Sequence, residues 1–264
     1  MTVGLRLGQG RPEMSFSPSQ SPVLSPQVEV RRHTRQAPWT YAGLDQRQRA
    51  VADRVRRDSD APGALLLSEV APVITLGRRT VPADLLMDEA AYRERGLELL
   101  PVDRGGLATW HGPGQWVAFA VDRLDRLTGD SRGVRRAVEG LLEAAAEVAR
   151  RYAPLVELRW GAETGLWLPG SGKLASVGVH VERGVLLHGL SLNVRRHPGS
   201  FLGLRACGLD AQPAFLAGQA GVGMEGDGDG GGTTFEKVGA ELQEALLERF
   251  WRASGDDGRP RDGE

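Results

Sequence analysis

Apolar residues recur at helical spacing in three stretches of this chain, and each stretch predicts an amphipathic helix. The first, Leu44 to Arg57, mixes Gln, Arg and Ala with a few apolar side chains. The longest begins after Asp130 or Ser131, either of which is a suitable N-cap. The third follows Thr233. The apolar positions are Val134, Val138, Leu141, Leu142, Ala145 and Val148 in the longest helix, and Phe235, Val238, Leu242, Leu246 and Phe250 in the third. We expect the stripe of the longest helix to face a sheet.

Short apolar runs between these helices predict strands. Four of them are Ala64 to Leu67, Val73 to Leu76, Leu97 to Val102 and Trp116 to Val121. Two longer runs, Leu174 to Val181 and Val185 to Val194, are separated by Glu182, Arg183 and Gly184, which suits a hairpin with a three-residue loop. No internal repeat is visible. This mixture of strands and helices predicts one α+β domain.

The composition of the two ends and of one internal segment differs from that of this domain. The beginning of the chain is rich in Pro and Ser, so residues 1–36 are predicted to be a disordered leader. Eight of the fifteen residues in 218–232 are glycine, which predicts a surface loop. Asp227 and Asp229 lie in that loop without the regular repeat of calcium sites, and no metal site is predicted. Residues 254–264 are expected to be a disordered tail, which leaves 37–253 as the catalytic domain.

Charge and cysteine content restrict the class of protein. The 264 residues carry 33 basic and 34 acidic side chains, so the net charge of -1 argues against binding to nucleic acid or an anionic membrane through bulk charge. No apolar run is long enough to predict a transmembrane helix. The single cysteine, Cys207, excludes an intramolecular disulfide and suits a reducing cytoplasm, where we expect the protein to be.

A glycine-rich segment between two of the predicted strands is the first candidate for chemistry. Residues 104–115 read Arg-Gly-Gly-Leu-Ala-Thr-Trp-His-Gly-Pro-Gly-Gln. Four glycines allow a ligand to approach the backbone closely. The segment lacks the Gly-Lys-Ser/Thr ending of a phosphate-binding loop, and no helix follows it, so nucleotide binding is not predicted. From the residues alone, a glycine-rich turn with a structural histidine is an equal alternative.

Three further residues are candidates because of their side-chain chemistry. Lys173 opens the predicted hairpin, and a lysine at a site can gain or lose a proton, whereas an arginine cannot. His188 lies on the return strand, and Cys207 follows the hairpin. Each has a structural alternative: a solvated turn lysine, a core histidine and a buried thiol. An ammonium group beside a thiol favours the thiolate, so Lys173 and Cys207 together would form a plausible nucleophilic pair.

Taken together, these segments resemble the lipoyl(octanoyl) transferase family. The similar stretches are Arg104 to Gln115, which matches its Arg-Gly-Gly and His-Gly-Pro-Gly-Gln signature, Lys173 to Gly178, His188 to Val194, the pair Cys207-Gly208, and Pro72 to Arg78. They occur in the family's order over about residues 40 to 217. The resemblance implies a single α+β domain with a mixed β-sheet flanked by helices, as in the biotin and lipoate protein ligase fold.

The resemblance also implies a reaction, its partners and its site. The enzyme would transfer an octanoyl group from octanoyl-acyl carrier protein, through a thioester on Cys207, to a lysine of lipoyl domains of 2-oxoacid dehydrogenases or of the glycine-cleavage carrier protein. This is a step of lipoate biosynthesis that needs no cofactor, and we expect a monomer. Lys173 would be the acid and base. The implied pocket residues are Arg104, Gly105, Gly106, Leu107, Ala108, Thr109, Trp110, His111, Ser176, Val177, Gly178, His188, Gly189, Leu190 and Ser191.

Two alternative functions remain open from the sequence. An ATP-dependent lipoate or biotin protein ligase would share the fold, but it would need nucleotide contacts that the glycine-rich segment does not predict. A non-catalytic acyl-binding or carrier-binding module would keep the pocket without turnover. The presence of both Cys207 and Lys173 favours the enzyme.

Overall fold

The computed structural model describes residues 25–205, 212–218 and 232–252, with side chains in the last segment described from residue 234. Within these residues the chain forms two β-sheets with helices packed against them. The predicted α+β architecture with a mixed sheet is confirmed. Four predicted features lie wholly or partly outside the described residues: residues 1–24 of the leader, the catalytic Cys207, residues 219–231 of the glycine-rich surface loop, and the C-terminal tail.

The larger sheet has seven strands in the order β1-β2-β6-β10-β9-β8-β7. Their bounds are β1 Gln27–Arg32, β2 Ala64–Glu69, β6 Gln115–Val121, β7 Glu157–Arg159, β8 Gly165–Leu168, β9 Gly172–Glu182 and β10 Val185–Asn193. β1 is parallel to β2, and all other pairs are antiparallel. The central strands β2, β6 and β10 are buried along their whole length, as expected of strands covered on both faces.

A smaller sheet, which the sequence did not predict, has three strands in the order β4-β3-β5. They are β3 Val73–Leu76, β4 Glu98–Pro101 and β5 Thr109–His111. β3 runs parallel to β4 and antiparallel to β5. This sheet contains the middle of the glycine-rich segment, Thr109–His111, and its own apolar cluster includes Ile74, Tyr92, Leu97 and Trp110.

The described residues form five α-helices: α1 Tyr41–Arg57, α2 Glu89–Glu94, α3 Leu124–Thr128, α4 Val134–Tyr152 and α5 Gly232–Leu247. α4 and α5 pack on one face of the larger sheet, and α1 packs on the opposite face. After α5 the chain adds a π-helical turn, Glu248–Arg252, which buries Phe250 and Trp251. None of the described helices is both long and apolar enough to cross a membrane.

Three local predictions are wrong. β1 lies inside the predicted disordered leader: its Arg32 bonds the buried carboxylate of Glu69, and its backbone pairs with β2. The predicted three-residue hairpin loop has two residues, since Glu182 pairs with Val185 and both Arg183 and Gly184 have positive φ, as a type I′ turn requires.

The third incorrect prediction concerns the start of α4. Its N-cap is Gly133 rather than Asp130 or Ser131. The Asp130 side chain accepts the N–H of Arg132, and its backbone carbonyl accepts the N–H of Gly133. Asp130 therefore closes the turn that precedes the helix and is not available to cap the helix itself.

Candidate active site

A pocket with a cavity volume of about 50 Å³, partly open to solvent, lies where the glycine-rich segment meets the hairpin of β9 and β10. Its lining residues are Tyr41, Arg104, Gly106, Leu107, Thr109, His111, Val117, Phe119, Lys173, Ser176, Val177, Gly178, Gly189, Leu190 and Ser191. The structure thus brings eleven of the fifteen predicted pocket residues together with Lys173; Gly105, Ala108, Trp110 and His188 do not line the pocket.

Strand alternation explains why two of these four residues lie outside the pocket. Successive side chains of a strand point to opposite faces. Thr109 and His111 of β5 face the pocket, whereas Trp110 of β5 and the preceding Ala108 pack into the apolar cluster of the smaller sheet. The Trp110 ring lies 5.6 Å from that of Phe201. Trp110 therefore packs behind the pocket wall and does not line the pocket.

Gly105 and Gly178 hold the glycine-rich segment against β9. The Gly105 N–H donates to the carbonyl oxygen of Val179 at 3.0 Å. A Cβ atom on Gly178 would lie 2.7 Å from the carbonyl oxygen of Gly105, which is closer than real Cβ atoms come to other atoms. The absence of a side chain at Gly178 therefore lets the glycine-rich segment approach β9 closely. Gly105 contributes its backbone N–H to this contact.

Arg104 organises the loop from within. Its Nη2 donates to the carbonyl and the hydroxyl oxygen of Thr75, and its Nη1 donates to the carbonyl oxygens of Gly105 and Leu107. Only 6% of Arg104 is exposed. These bonds fix the curvature of residues 104–107 and bring a buried positive charge to the pocket wall.

His188 is a buried residue of β10 that supports the pocket through Tyr41. It has a positive φ of 61°, and its backbone N–H donates to Oε1 of Gln48 at 2.7 Å. Its Nε2 lies 2.6 Å from Oδ1 of Asp103, and its Nδ1 lies 3.2 Å from the hydroxyl oxygen of Tyr41. The bond from His188, with help from Arg49, holds the pKa of Asp103 well below its ordinary value.

Asp45, Asp103 and His188 are the one group in the described part of the chain whose ligand atoms lie close enough together to suit a metal ion. Arg49 already bridges the two carboxylates, with Nε 2.8 Å from Asp45 and Nη2 3.1 Å from Asp103. A guanidinium group in this place supplies the positive charge that a cation would bring. The group fits an ion-pair network better than a metal centre.

A second buried network links His111 to the start of the hairpin. His111 Nδ1 lies 2.7 Å from Oε1 of Gln115, whose Nε2 donates to Oδ1 of Asn193 at 2.8 Å. Asn193 Nδ2 donates to the carbonyl oxygens of Lys173 and Ala214. Burial, together with the charge of Arg104, lowers the pKa of His111 to about 3, so its ring is neutral near pH 7.

Lys173 is held at the start of β9 and is 9% exposed. Its N–H donates to the carbonyl oxygen of Gln212, and its carbonyl accepts the N–H of Ala214, each at 2.9 Å. Its Nζ lies 5.6 Å from the ring centroid of Trp167, within cation–π range. The backbone of Lys173 is therefore paired on its outer side with residues 212–214.

Cys207 lies outside the described residues, between two anchored positions. Before it, the N–H of Arg205 donates to the carbonyl oxygen of Asp84. After it, Gln212 bonds Lys173 as described above. In the sequence, one residue separates Arg205 from Cys207, and four separate Cys207 from Gln212.

Three pocket residues were missed from the sequence: Tyr41, Val117 and Phe119. Val117 and Phe119 alternate along β6, and that period-2 pattern could have identified them once Trp116 to Val121 was taken as a strand. Tyr41 is the first residue of α1, and its ring stacks on His111 with centroids 5.0 Å apart. Nothing in its local sequence indicates this contact.

Comparison with known sequences identifies the family. Residues 45–204 match the family described as the lipoyl protein ligase A/B catalytic domain. An octanoyltransferase of Magnetococcus marinus is 39% identical over 66% of this chain and 74% of its own length. An octanoyltransferase of Maridesulfovibrio salexigens is 34% identical over 66% of this chain and 80% of its own length. The resemblance inferred from the sequence is confirmed, as is the prediction of an enzyme of the acyltransferase class.

Comparison with solved structures gives the same fold. A protein of T. acidophilum with bound lipoic acid aligns at a TM-score of 0.59 and 13% identity over 86% of each chain. Lipoate-protein ligase A bound with ATP aligns at 0.57 and 14% identity, covering 90% of this chain and 89% of the other. With a matching fold and a family match over residues 45–204, this chain belongs to the lipoyl protein ligase A/B catalytic domain family.

Proposed function

We propose that this chain transfers an octanoyl group from octanoyl-acyl carrier protein to the lysine amine of a lipoyl domain, through a thioester on Cys207, as a step of lipoate biosynthesis. The acceptors are the lipoyl domains of 2-oxoacid dehydrogenases and the glycine-cleavage carrier protein. The enzyme acts as a monomer in the cytoplasm and uses no cofactor. The relatives named octanoyltransferase support the choice of acyl group.

The observation that carries the proposal is the pocket itself. Val117, Phe119, Leu190 and Leu107 give it an apolar wall suited to a saturated acyl chain, and Lys173 lies at its edge. The backbone of Lys173 is paired with the residues that follow Cys207 in the sequence. An apolar pocket lined by a lysine supports a route in which Lys173 acts on a thioester carried by Cys207.

The first half-reaction moves the acyl group to the enzyme. The Cys207 thiolate attacks the carbonyl carbon of the octanoyl thioester, and the C–S bond to the carrier breaks. The ammonium of Lys173 stabilises the thiolate of Cys207 and protonates the departing carrier thiolate. Backbone N–H groups of the glycine-bearing segments 104–111 and 176–178 supply donors for the developing oxyanion.

The second half-reaction forms the amide. A neutral lysine amine attacks the carbonyl carbon of the acyl-enzyme, its surplus proton passes to the Lys173 amine, and the bond to Cys207 breaks to regenerate the thiolate. Aminolysis of a thioester is downhill, so neither half-reaction consumes ATP. The requirement for ATP therefore separates this function from a ligase.

The test is acyl transfer to an apo lipoyl domain, followed by the mass of that domain. The purified full-length chain is incubated with octanoyl-acyl carrier protein without ATP, and in parallel with free octanoate and ATP. Octanoylation in the first mixture only is the expected result. Octanoylation only with free acid and ATP would identify a ligase, and no product in either mixture would favour a binding module; both results would overturn the proposal.

A further inference from the structure

The pocket contains a hydrogen-bond acceptor that the described part of the protein leaves unused. His111 Nε2 has no hydrogen-bond partner among the described residues, and the residue is only 4% exposed. His111 also lines the pocket. A buried polar atom without a partner is costly unless a ligand satisfies it, so this atom indicates a ligand contact.

The protonation of Nε2 follows from the network behind the ring. Asn193 Nδ2 points at two backbone carbonyls, which can only accept, so Asn193 Oδ1 must accept from Gln115. Gln115 then presents Oε1 to His111, and Nδ1 of the ring must carry the hydrogen. In a neutral imidazole the other nitrogen is then a bare acceptor. The pKa of about 3 keeps the ring neutral near pH 7.

Two side chains, Gln115 and Asn193, connect His111 to the backbone of Lys173. Gln115 pairs with Asn193 at one end of β6 and β10, and Asn193 bonds the carbonyl oxygen of Lys173. His111 bonds Gln115 through Nδ1, and both His111 and Lys173 line the pocket. A ligand in this pocket therefore has access to both side chains.

We propose that His111 Nε2 accepts one N–H of the attacking lysine amine and orients its lone pair toward the thioester carbonyl. This inference rests on the proposed function. An octanoyl thioester carries no N–H or O–H at its acyl group, whereas a neutral amine carries two N–H bonds, one for Lys173 and one for His111. Because its ring resists protonation, His111 holds the amine without removing the proton.

The test separates the two half-reactions. His111→Asn keeps a donor for Gln115 but deletes the acceptor at the Nε2 position, and His111→Gln is a second variant that offers an amide oxygen near that position. His33→Asn is the control, because His33 lies outside the pocket. Each protein is acylated with octanoyl-acyl carrier protein, and the rate of adduct formation is followed by intact mass. The isolated acyl-enzyme is then discharged onto an apo lipoyl domain between pH 6 and 9.

The expected result is a selective defect. His111→Asn acylates at close to the wild-type rate and discharges about tenfold more slowly, as for loss of one hydrogen bond, while its pH profile keeps the wild-type shape. Equal loss in both half-reactions would assign the acceptor to an amide N–H of the carrier's pantetheine arm and overturn the proposal. A pH profile of discharge that differs in shape from that of wild type would also overturn the proposal. The same holds if neither variant slows one half-reaction more than the other. If wild-type protein forms no adduct, that result overturns the proposed function, on which this inference rests.

Discussion

The main-chain N–H of Lys173 donates a hydrogen bond of 2.9 Å to the carbonyl oxygen of Gln212, and the carbonyl of Lys173 accepts one from Ala214. Residues 212–214, which follow Cys207 in the sequence, are therefore docked on Lys173 at the start of β9. Gly172 makes this docking possible, because it has a φ of 128° and a Cβ atom there would overlap the carbonyl oxygen of Gln212.

Gly172→Ala is expected to abolish most of the acyl-transfer activity, because the methyl group displaces Gln212 from Lys173. Gly170→Ala is the matched control: its φ of 72° is also positive, but nothing lies within 4 Å of its Cβ position. The control should lose only about 1 kcal/mol of unfolding free energy, from backbone strain. Transfer rates and urea unfolding curves of both variants test this, and equal activities would refute the docking role.

If Lys173 acts on Cys207 as proposed, Lys173→Ala is expected to raise the pKa of the Cys207 thiol and to slow its acylation, because a positive charge that favours the thiolate is lost. The chain has one cysteine and two lysines, so the reaction of Cys207 with iodoacetamide across pH 6–10 reports on this thiol alone. Lys237→Ala, at an exposed position on α5, is the control. A thiol titration curve that is the same in Lys173→Ala and wild type would exclude the proposed role.

Gly178→Ala is expected to impair octanoyl transfer more than stability. Its Cβ atom would lie 2.7 Å from the carbonyl oxygen of Gly105, so the glycine-rich segment must move away from β9 and widen the pocket. The readout is the ratio of rates for octanoyl and longer acyl donors, which should shift toward longer chains. An unchanged ratio would show that this contact does not set the pocket's dimensions.

Acid is expected to destabilise the protein through His111. Burial and the charge of Arg104 lower its pKa from 6.5 to about 3, so between these values the unfolded chain binds a proton that the folded protein does not. The unfolding free energy therefore falls as the pH falls through this window, by up to about 1.4 kcal/mol per pH unit. Urea unfolding at several pH values should show a shallower decline in His111→Asn than in wild type; parallel declines would contradict this assignment.

The sequence predicted those parts of the site that are continuous in the chain. The glycine-rich segment, Lys173 and the strand carrying Gly189 to Ser191 each have a recognisable local pattern, and they meet at one pocket. The inward and outward sides of β5 could not be assigned, because a three-residue strand is too short to show a period. Trp110 was therefore placed in the pocket although it packs behind it.

Contacts between distant segments were beyond the reach of the sequence. Tyr41 stacks on His111 across 70 positions of the chain, and Glu69 joins Arg32 of β1 to the N–H of Gly114. A Pro- and Ser-rich composition gave no indication that β1 would add to the sheet. Such tertiary pairing outweighs local propensity, which is why the leader prediction failed at Gln27–Arg32.

The intact mass of the protein after incubation with octanoyl-acyl carrier protein, without ATP, reports whether the acyl group passes through Cys207. The thioester route predicts a gain of one octanoyl group on wild-type protein, no gain on Cys207→Ser, and loss of the group when an apo lipoyl domain is added. An octanoyl adduct of equal yield on Cys207→Ser, or amide product formed by that variant at the wild-type rate, would contradict it.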